Sequence, residues 1–253
     1  MFYPGVVSVS FRSLSPEEVI QAAVAAGLYH IEWGSDVHAP YGDIAQLEQI
    51  DRLQKQYGVT CCSYGTYFRL GETPIEELPG YIQAAKILGT DILRLWITWK
   101  CPWDYTQEEK QAFFDLCRQA AKMAEDAGVI LCMECHKNTY VDTKESALEL
   151  MKAVNSPAFR MYWQANEDRT VEENVAYARL LKDYTYHIHV FQMRGRERFP
   201  LAAGIDDWKT YLGEFSKDCC VLLEFMYDGR VESLSGEADA LRAIIKQWET
   251  EPR

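Results

Sequence analysis

Short apolar runs rich in β-branched residues alternate with longer segments of helical periodicity, and this alternation constrains the fold more than any other feature of the chain. The apolar runs cover residues 5–9, 29–33, 59–64, 92–96, 129–134, 159–164, 186–190 and 220–225. The helical segments follow them at residues 15–26, 43–57, 73–88, 106–127, 143–154, 171–182, 208–215 and 237–248. Strands that alternate with helices are expected to be parallel, because each helix carries the chain back to the same end of the sheet.

The ends of the segments carry local signals that agree with this assignment. Ser15 is a suitable N-cap, Pro16 suits the first helical position, and Gly27 and Gly128 each follow a helical segment. Eight strand-helix units in 253 residues predict one (β/α)8 TIM barrel domain over residues 1–253. An open doubly wound sheet is the alternative, but residues 10–13, after the first strand, lack its glycine fingerprint.

Composition excludes several classes of protein. With 26 Lys and Arg against 38 Asp and Glu, the formal charge of -12 disfavours binding to nucleic acid, whose phosphates it would repel. The sequence shows neither a signal peptide pattern nor an apolar run long enough for a membrane helix, so a cytoplasmic protein without a membrane partner is expected. The eight cysteines are then expected to be mostly buried thiols.

Candidate catalytic residues lie where the late strands end. In TIM barrels the active site is built at the carboxyl ends of the strands, and the last four predicted strands each present one O or N ligand there. These residues are Glu134, Gln164, His189 and Glu224. Two carboxylates, an imidazole and an amide oxygen suit a divalent metal ion such as Mn, Mg, Co or Zn.

Each of these residues also has a purely structural interpretation. A strand histidine such as His189 is commonly a hydrogen-bonded core residue. The two glutamates are harder to explain in that way, because apolar residues flank them and a buried carboxylate is costly unless it is paired or bound to metal.

The chain resembles the sugar isomerase/epimerase superfamily with the xylose isomerase-like barrel, which includes tagatose epimerases and inosose dehydratases. The resemblance is carried by residues 26–33, 131–136, 187–190, 201–208 and 222–225, in this order and spacing. It implies one divalent ion held by a ligand from each of the last four strands, at the positions of Glu134, Gln164, His189 and Glu224. The family usually has Asp, and a His three residues later, where this chain has Gln164 and Glu167. The usual Lys-Asp after the strand-seven histidine is replaced by residues 191–192.

Residues around the predicted barrel mouth are expected to contact the substrate, because aromatic faces stack on sugar rings and cationic side chains hold hydroxyls or a phosphate. The candidates are His38, Tyr64, Arg94, Trp96, His136, Lys137 and Arg194. Ordinary barrel packing is the alternative for the aromatic residues. Residues 194–198 contain three arginines and are interpreted either as a phosphate clamp or as a solvated loop.

These features predict a metal-dependent isomerase or epimerase that acts on a sugar, sugar phosphate or keto-polyol by proton transfer next to a carbonyl. Glu134 and Glu224 are expected to be the acid/base pair. A keto-polyol dehydratase and a sugar-binding barrel without catalysis are the alternatives, and an endonuclease IV-like function would need more metal-binding histidines than the five present. The expected partner is a small-molecule carbohydrate, and a homo-oligomer is compatible with the sequence.

Overall fold

The computed structural model describes residues 1–215 and 218–250. Within them the chain forms ten strands, namely β1 (Phe2–Val7), β2 (His30–Gly34), β3 (Thr60–Leu70), β4 (Ile92–Ile97), β5 (Ile130–Glu134), β6 (Phe159–Trp163), β7 (Thr185–Val190), β8 (Gln192–Arg194), β9 (Glu197–Phe199) and β10 (Cys219–Leu223). The eight α-helices of the same residues are α1 (Pro16–Ala25), α2 (Ile44–Tyr57), α3 (Leu78–Leu88), α4 (Gln107–Ala127), α5 (Lys144–Val154), α6 (Val171–Leu181), α7 (Ile205–Gly213) and α8 (Leu234–Thr250).

Eight of the strands close into a parallel barrel in the order β1-β10-β7-β6-β5-β4-β3-β2. Strand β1 pairs with both β2 and β10, which joins the first strand of the chain to the last and leaves no open edge. The predicted (β/α)8 TIM barrel is therefore confirmed, and the open doubly wound sheet is not formed.

Helix ends are fixed by local hydrogen bonds that the sequence encodes. At the start of α1 the side chain of Ser15 accepts a hydrogen bond from the backbone N–H of Glu18, while the Glu18 carboxylate accepts one from the backbone of Ser15. The same capping box opens α4 and α6. Helix α4 ends at Gly128, which adopts the left-handed conformation with φ of 69°. These hydrogen bonds fix where the helices begin and end.

The core has two layers separated by the barrel wall. The larger layer packs the outer faces of the strands against the helices. A smaller cluster of buried residues lies inside the barrel: Val7, Val9, Cys62, Ile92, Cys132, Tyr162, Cys220 and Leu222. All eight cysteines are buried free thiols, as predicted. No helix of the described residues is both long and apolar enough to cross a membrane.

Two of the irregular features of the strands depart from the predicted pattern near the candidate site. The first is a register shift between β2 and β3, where Ile31 pairs with Cys61 but Glu32 pairs with Ser63. The second is the antiparallel hairpin of β8 and β9, which follows β7 directly and lies outside the barrel sheet. Both features alter the carboxyl end of the barrel, where the candidate site lies.

Candidate active site

A layer of buried charged side chains lies above the apolar barrel interior, at the carboxyl ends of the strands. Arg94 of β4 places a terminal guanidinium nitrogen 2.8 Å from Oε2 of Glu134 at the end of β5. His189 of β7 places Nδ1 3.4 Å from Oε2 of Glu224, which follows β10. Four barrel strands thus bring two carboxylates, a guanidinium and an imidazole into one buried cluster.

Glu32 of β2 joins the two halves of this cluster. Its Oε1 lies 3.4 Å from Nε of Arg94 and 3.3 Å from Nε2 of His189. Its Oε2 accepts a hydrogen bond of 2.6 Å from Ser63, whose hydroxyl lies 3.1 Å from that of Tyr162. Glu32 is completely buried, so these contacts replace the hydration that its charge loses on folding.

Gly65 of β3 leaves room for this ion pair. A Cβ at this position would lie 2.5 Å from Oε1 of Glu32 and 2.9 Å from a terminal nitrogen of Arg94. Both approaches are closer than non-bonded atoms allow, so any larger residue would displace the pair. The glycine is therefore required by the charged cluster rather than by its backbone conformation.

The cluster determines the protonation of its members. Burial raises the pKa of Glu32, but the charges of His189 and Arg94 outweigh it and hold that pKa well below its usual range. Burial lowers the pKa of His189, yet the carboxylates of Glu224 and Glu32 raise it to about 9. The pKa of Glu224 is raised to about 7, mainly by burial and against the opposing effect of His189. The pKa of Arg94 is raised because the three glutamates outweigh its burial.

A cavity of about 240 Å³ opens above the cluster. Its floor carries Glu134, Gln164 and Glu224, together with Arg94. The complete lining is Val9, Arg12, Tyr67, Arg94, Trp96, Glu134, His136, Gln164, Glu167, Phe191, Met193, Glu224 and Phe225. A second cavity of about 300 Å³ lies beside it and shares Glu167, Phe191 and Met193 with it. We take the first cavity as the candidate active site because the buried charges face it.

One wall of the cavity is aromatic. The rings of Trp96 and His136 lie 4.7 Å apart between centroids, and Trp99 lies 5.7 Å from Trp96. Arg69 stacks on this group with its guanidinium carbon 3.6 Å from the Trp99 ring centroid. Aromatic side chains of this kind suit the apolar face of a sugar-like ring.

Phe225, which directly follows Glu224, has an unusual backbone conformation. Its φ of 57° places a bulky residue in the left-handed region, which is unfavourable for side chains with a Cβ. Its backbone N–H donates to Oγ of Ser10 at 3.0 Å, and the N–H of Glu224 donates to the carbonyl of Val190 at 2.9 Å. The strained turn thereby directs both the Glu224 carboxylate and the Phe225 ring to the cavity.

The structure brings most of the predicted site residues together. Arg94, Trp96, Glu134, His136, Gln164 and Glu224 line the cavity, and His189 lies buried beneath them. Their roles as ligands, catalysts or substrate contacts remain predictions.

Four other predicted substrate contacts lie elsewhere. His38 is buried, with its ring nitrogens 3.1 Å from Oγ of Ser8 and 3.0 Å from the carbonyl of Leu14. Tyr64 is buried in the outer layer and donates its hydroxyl hydrogen to the carbonyl of Ala39. Lys137 pairs with Glu167 at 2.7 Å and with Asp168 at 2.6 Å, and Arg194 lines the second cavity.

Several residues that form the site are not among those predicted from the sequence. Glu32 could have been predicted by the argument used for Glu134 and Glu224, because it too is flanked by apolar residues, Ile31 and Trp33, which are buried. Arg12 and Tyr67 line the cavity but carry no such signal in the sequence. Arg12 follows the first strand and Tyr67 lies near the end of β3, and the closed barrel brings them to the same cavity.

The donor types at the cavity floor fit a divalent ion. Among the predicted ligands, four buried atoms have no partner with hydrogen-bond geometry in the described part of the chain: Oε2 of Glu134, Oε1 of Gln164 and both ring nitrogens of His189. Buried polar atoms normally have partners, and these are atoms that divalent ions accept as ligands. However, no three or more His, Cys, Asp or Glu side chains of residues 1–215 and 218–250 stand together so as to hold a metal ion. Arg94, at 2.8 Å, would compete with an ion for Glu134.

An eight-stranded parallel barrel with a charged cavity at the carboxyl ends of its strands defines a TIM-barrel protein with an enzyme-like site. The chain belongs to the xylose isomerase-like TIM barrel family, whose model matches residues 20–245. This membership confirms the resemblance inferred from the sequence motifs.

The chain is similar to a dehydratase in sequence and in fold. The 3-dehydroshikimate dehydratase of Bacillus anthracis is 25% identical over 178 residues, a match that spans 64% of this chain and 63% of the relative. The solved structure of a probable 3-DHS dehydratase from the same organism has a TM-score of 0.81 at 20% identity and covers 96% of this chain and 99% of the other.

Two further solved structures share the fold at 15% identity. The IolI protein with a bound zinc atom has a TM-score of 0.77, covering 98% of this chain and 100% of the other. The D-psicose 3-epimerase of Clostridium cellulolyticum H10, solved with D-tagatose, has a TM-score of 0.71, covering 97% of this chain and 99% of the other. At these identities the solved structures establish the common fold.

Proposed function

We propose that the protein is an enzyme that removes a proton from the carbon next to a carbonyl in a small polyhydroxylated compound. The observation that carries this proposal is the cavity floor, where the carboxyl groups of Glu134 and Glu224 face one space from β5 and from the end of β10. A carboxylate base and a carboxylic acid on one substrate are the groups that such proton transfers need.

The chain's own residues would orient both carboxyl groups. Arg94 lies against Glu134 and His189 lies against Glu224, so each acid has a cationic neighbour that fixes its position. Glu32 in turn lies beside both Arg94 and His189. Trp96 and His136 would bind the flat face of the substrate and exclude water from it.

We propose that a divalent ion assists the reaction, held by Glu134, Gln164, Glu224 and the neutral imidazole of His189, whose proton the ion would displace. When bound, the ion supplies positive charge that stabilises the negative charge developing on the substrate's carbonyl oxygen. Support comes from the buried ligand atoms of Glu134, Gln164 and His189, which have no partner with hydrogen-bond geometry among the described residues, and from the zinc atom in the IolI structure of the same fold. The metal could be Mn, Mg, Co or Zn, and the donor set favours none of them.

We favour dehydration as the completion of the reaction. One carboxylate removes the C–H proton, the electron pair forms a C=C bond, and the hydroxyl of the next carbon leaves as water with a proton from the other carboxyl group. The similarity in sequence to 3-dehydroshikimate dehydratase supports this lyase activity over the isomerase expected from the sequence. An isomerase or epimerase would begin in the same way but return the proton to carbon.

A substrate panel in deuterated water tests the proposal. The purified protein, supplied with Mn, Co or Zn in turn, is incubated with 3-dehydroshikimate, inososes, ketoses and their phosphates, and the products are identified by mass spectrometry. Loss of water supports the dehydratase, whereas deuterium incorporation without loss of water would identify an isomerase or epimerase. Binding of several compounds with conversion of none would refute catalysis and favour a sugar-binding barrel.

A further inference from the structure

The hairpin of β8 and β9 forms part of the wall of the cavity described above. Phe191, just before β8, and Met193 within it both line the cavity. Across the hairpin Met193 pairs with Arg198, and Arg194 pairs with Glu197. Directly opposed residues of an antiparallel pair lie on the same face, so Arg198 shares the face of Met193 at the cavity. Arg194 lies on the other face, where it stacks on Phe199 and lines the second cavity.

Arg198 is held at the mouth by an aromatic contact. Its guanidinium carbon lies 4.6 Å from the ring centroid of Phe225, and that ring also lines the cavity. Phe225 directly follows Glu224 in the chain. Stacking on one face of the guanidinium leaves its in-plane N–H groups available for an oxygen ligand.

Arg198 differs in its partners from the cations that line this cavity. Arg12 pairs with Asp36 at 2.5 Å and Arg94 pairs with Glu134 at 2.8 Å. Across residues 1–215 and 218–250, Arg198 makes its ring contact with Phe225 but no ion pair with a carboxylate. The chain has a formal charge of -12. Arg198 nevertheless pairs with no carboxylate of the described residues, so its charge is available to a ligand of the acidic cavity.

We propose that Arg198 binds an anionic group of the substrate, a carboxylate or a phosphate, and so selects charged over neutral polyols. Its planar guanidinium can donate two parallel hydrogen bonds to either group. It would also offset the repulsion between an anionic substrate and the glutamates of the cavity floor. This inference rests on the proposed function, and it places anion binding at Arg198 rather than at Arg194.

Calorimetry with three probes tests the assignment without requiring turnover. Shikimate carries a carboxylate on a hydroxylated ring, myo-inositol is a neutral ring of similar size, and inorganic phosphate supplies the other anion. Arg198→Gln removes the charge, Arg198→Lys keeps charge without the planar fork, and Arg196→Gln removes an equal charge at the tip of the same hairpin. Both positions, Arg196 and Arg198, are exposed, so folding is expected to be retained.

We expect Arg198→Gln to weaken binding of the preferred anion by about tenfold or more, as removal of charge-assisted hydrogen bonds does. The affinity of Arg198→Lys for this anion should lie between those of Arg198→Gln and the wild type. The affinity of Arg196→Gln should stay within about twofold of the wild type, and binding of myo-inositol should not change in any variant. The tighter of shikimate and phosphate identifies the anion as a carboxylate or a phosphate.

Two results would overturn the proposal. One is a wild-type protein that binds neither anion at low salt. The other is an equal loss of affinity in Arg196→Gln and Arg198→Gln, because it would show diffuse attraction by the hairpin instead of a contact. A protein that binds shikimate through Arg198 but converts no carbonyl compound would contradict the proposed function and leave the assignment of Arg198 intact.

Discussion

Replacing Glu32 by Gln tests the buried cluster beneath the cavity more directly than any other change. The glutamine has nearly the same shape and can still accept the hydrogen bond from Ser63, which lies 2.6 Å from Oε2. It cannot supply the negative charge that faces Arg94 at 3.4 Å and His189 at 3.3 Å. The substitution therefore removes charge from the cluster while leaving its packing in place.

The expected loss of stability follows from the burial of the cations that remain. Removing one partner of a buried ion pair typically costs about 3–5 kcal/mol, because the other charge stays buried without compensation. Here Arg94 keeps Glu134 at 2.8 Å and His189 keeps Glu224 at 3.4 Å, so part of the compensation persists. We therefore expect the free energy of unfolding to fall by about 3 kcal/mol, the lower end of that range.

Urea unfolding followed by circular dichroism measures this difference, with Glu72→Gln as the matched control. Glu72 pairs with Arg69 at 3.8 Å, and its side chain is 39% exposed, so its loss should cost less than about 1 kcal/mol. If Glu32→Gln also cost less than about 1 kcal/mol, Glu32 would not be the buried counter-charge of Arg94 and His189.

Four further substitutions test the cavity floor and the charged cluster beneath it. Glu134→Gln and Glu224→Gln should each lower turnover by about 10²- to 10⁴-fold while the fold is retained, and near-normal turnover in either would remove that residue from the mechanism. Gln164→Asp should tighten binding of Mn in calorimetry, because it adds a negative charge beside the cation; equal or weaker affinity would show that Gln164 is not a ligand. Gly65→Ala should lower the free energy of unfolding by about 1–3 kcal/mol, since its Cβ would lie 2.5 Å from Oε1 of Glu32. Gly42→Ala is its control, with no atom within 4 Å of the added Cβ, and equal stability of the two variants would contradict the packing described for Gly65.

The barrel could be predicted because its determinants are local and repeated. Capping residues such as Ser15 and Thr106, and left-handed glycines such as Gly128, mark helix ends in the sequence itself. The hairpin of β8 and β9 could not be predicted in the same way. Each of its strands has three residues, and neither run is long enough to show alternation of apolar and polar positions.

The direction of Tyr64 shows where periodicity fails at the site. Strict alternation along β3 would turn Tyr64 to the same face as Cys62, which lies in the barrel interior. The register shift opposite Glu32 inserts one residue, so Ser63 also reaches the interior, where it bonds to Glu32. Tyr64 then points to the outer layer. Nothing in the sequence of the strand marks this extra residue.

The partners of the buried charges could not be predicted from the sequence either. Glu32, Arg94 and His189 lie in β2, β4 and β7, and 62 residues separate even the closer pair, Glu32 and Arg94. A carboxylate flanked by apolar residues indicates that some cation must accompany it, but not which one. Closure of the barrel decides that question, because side chains from non-adjacent strands meet across its interior. The floor of the cavity is thus a consequence of the closed topology. A substitution that removes one of its charges is therefore expected to change the contacts of side chains in strands that do not pair with each other.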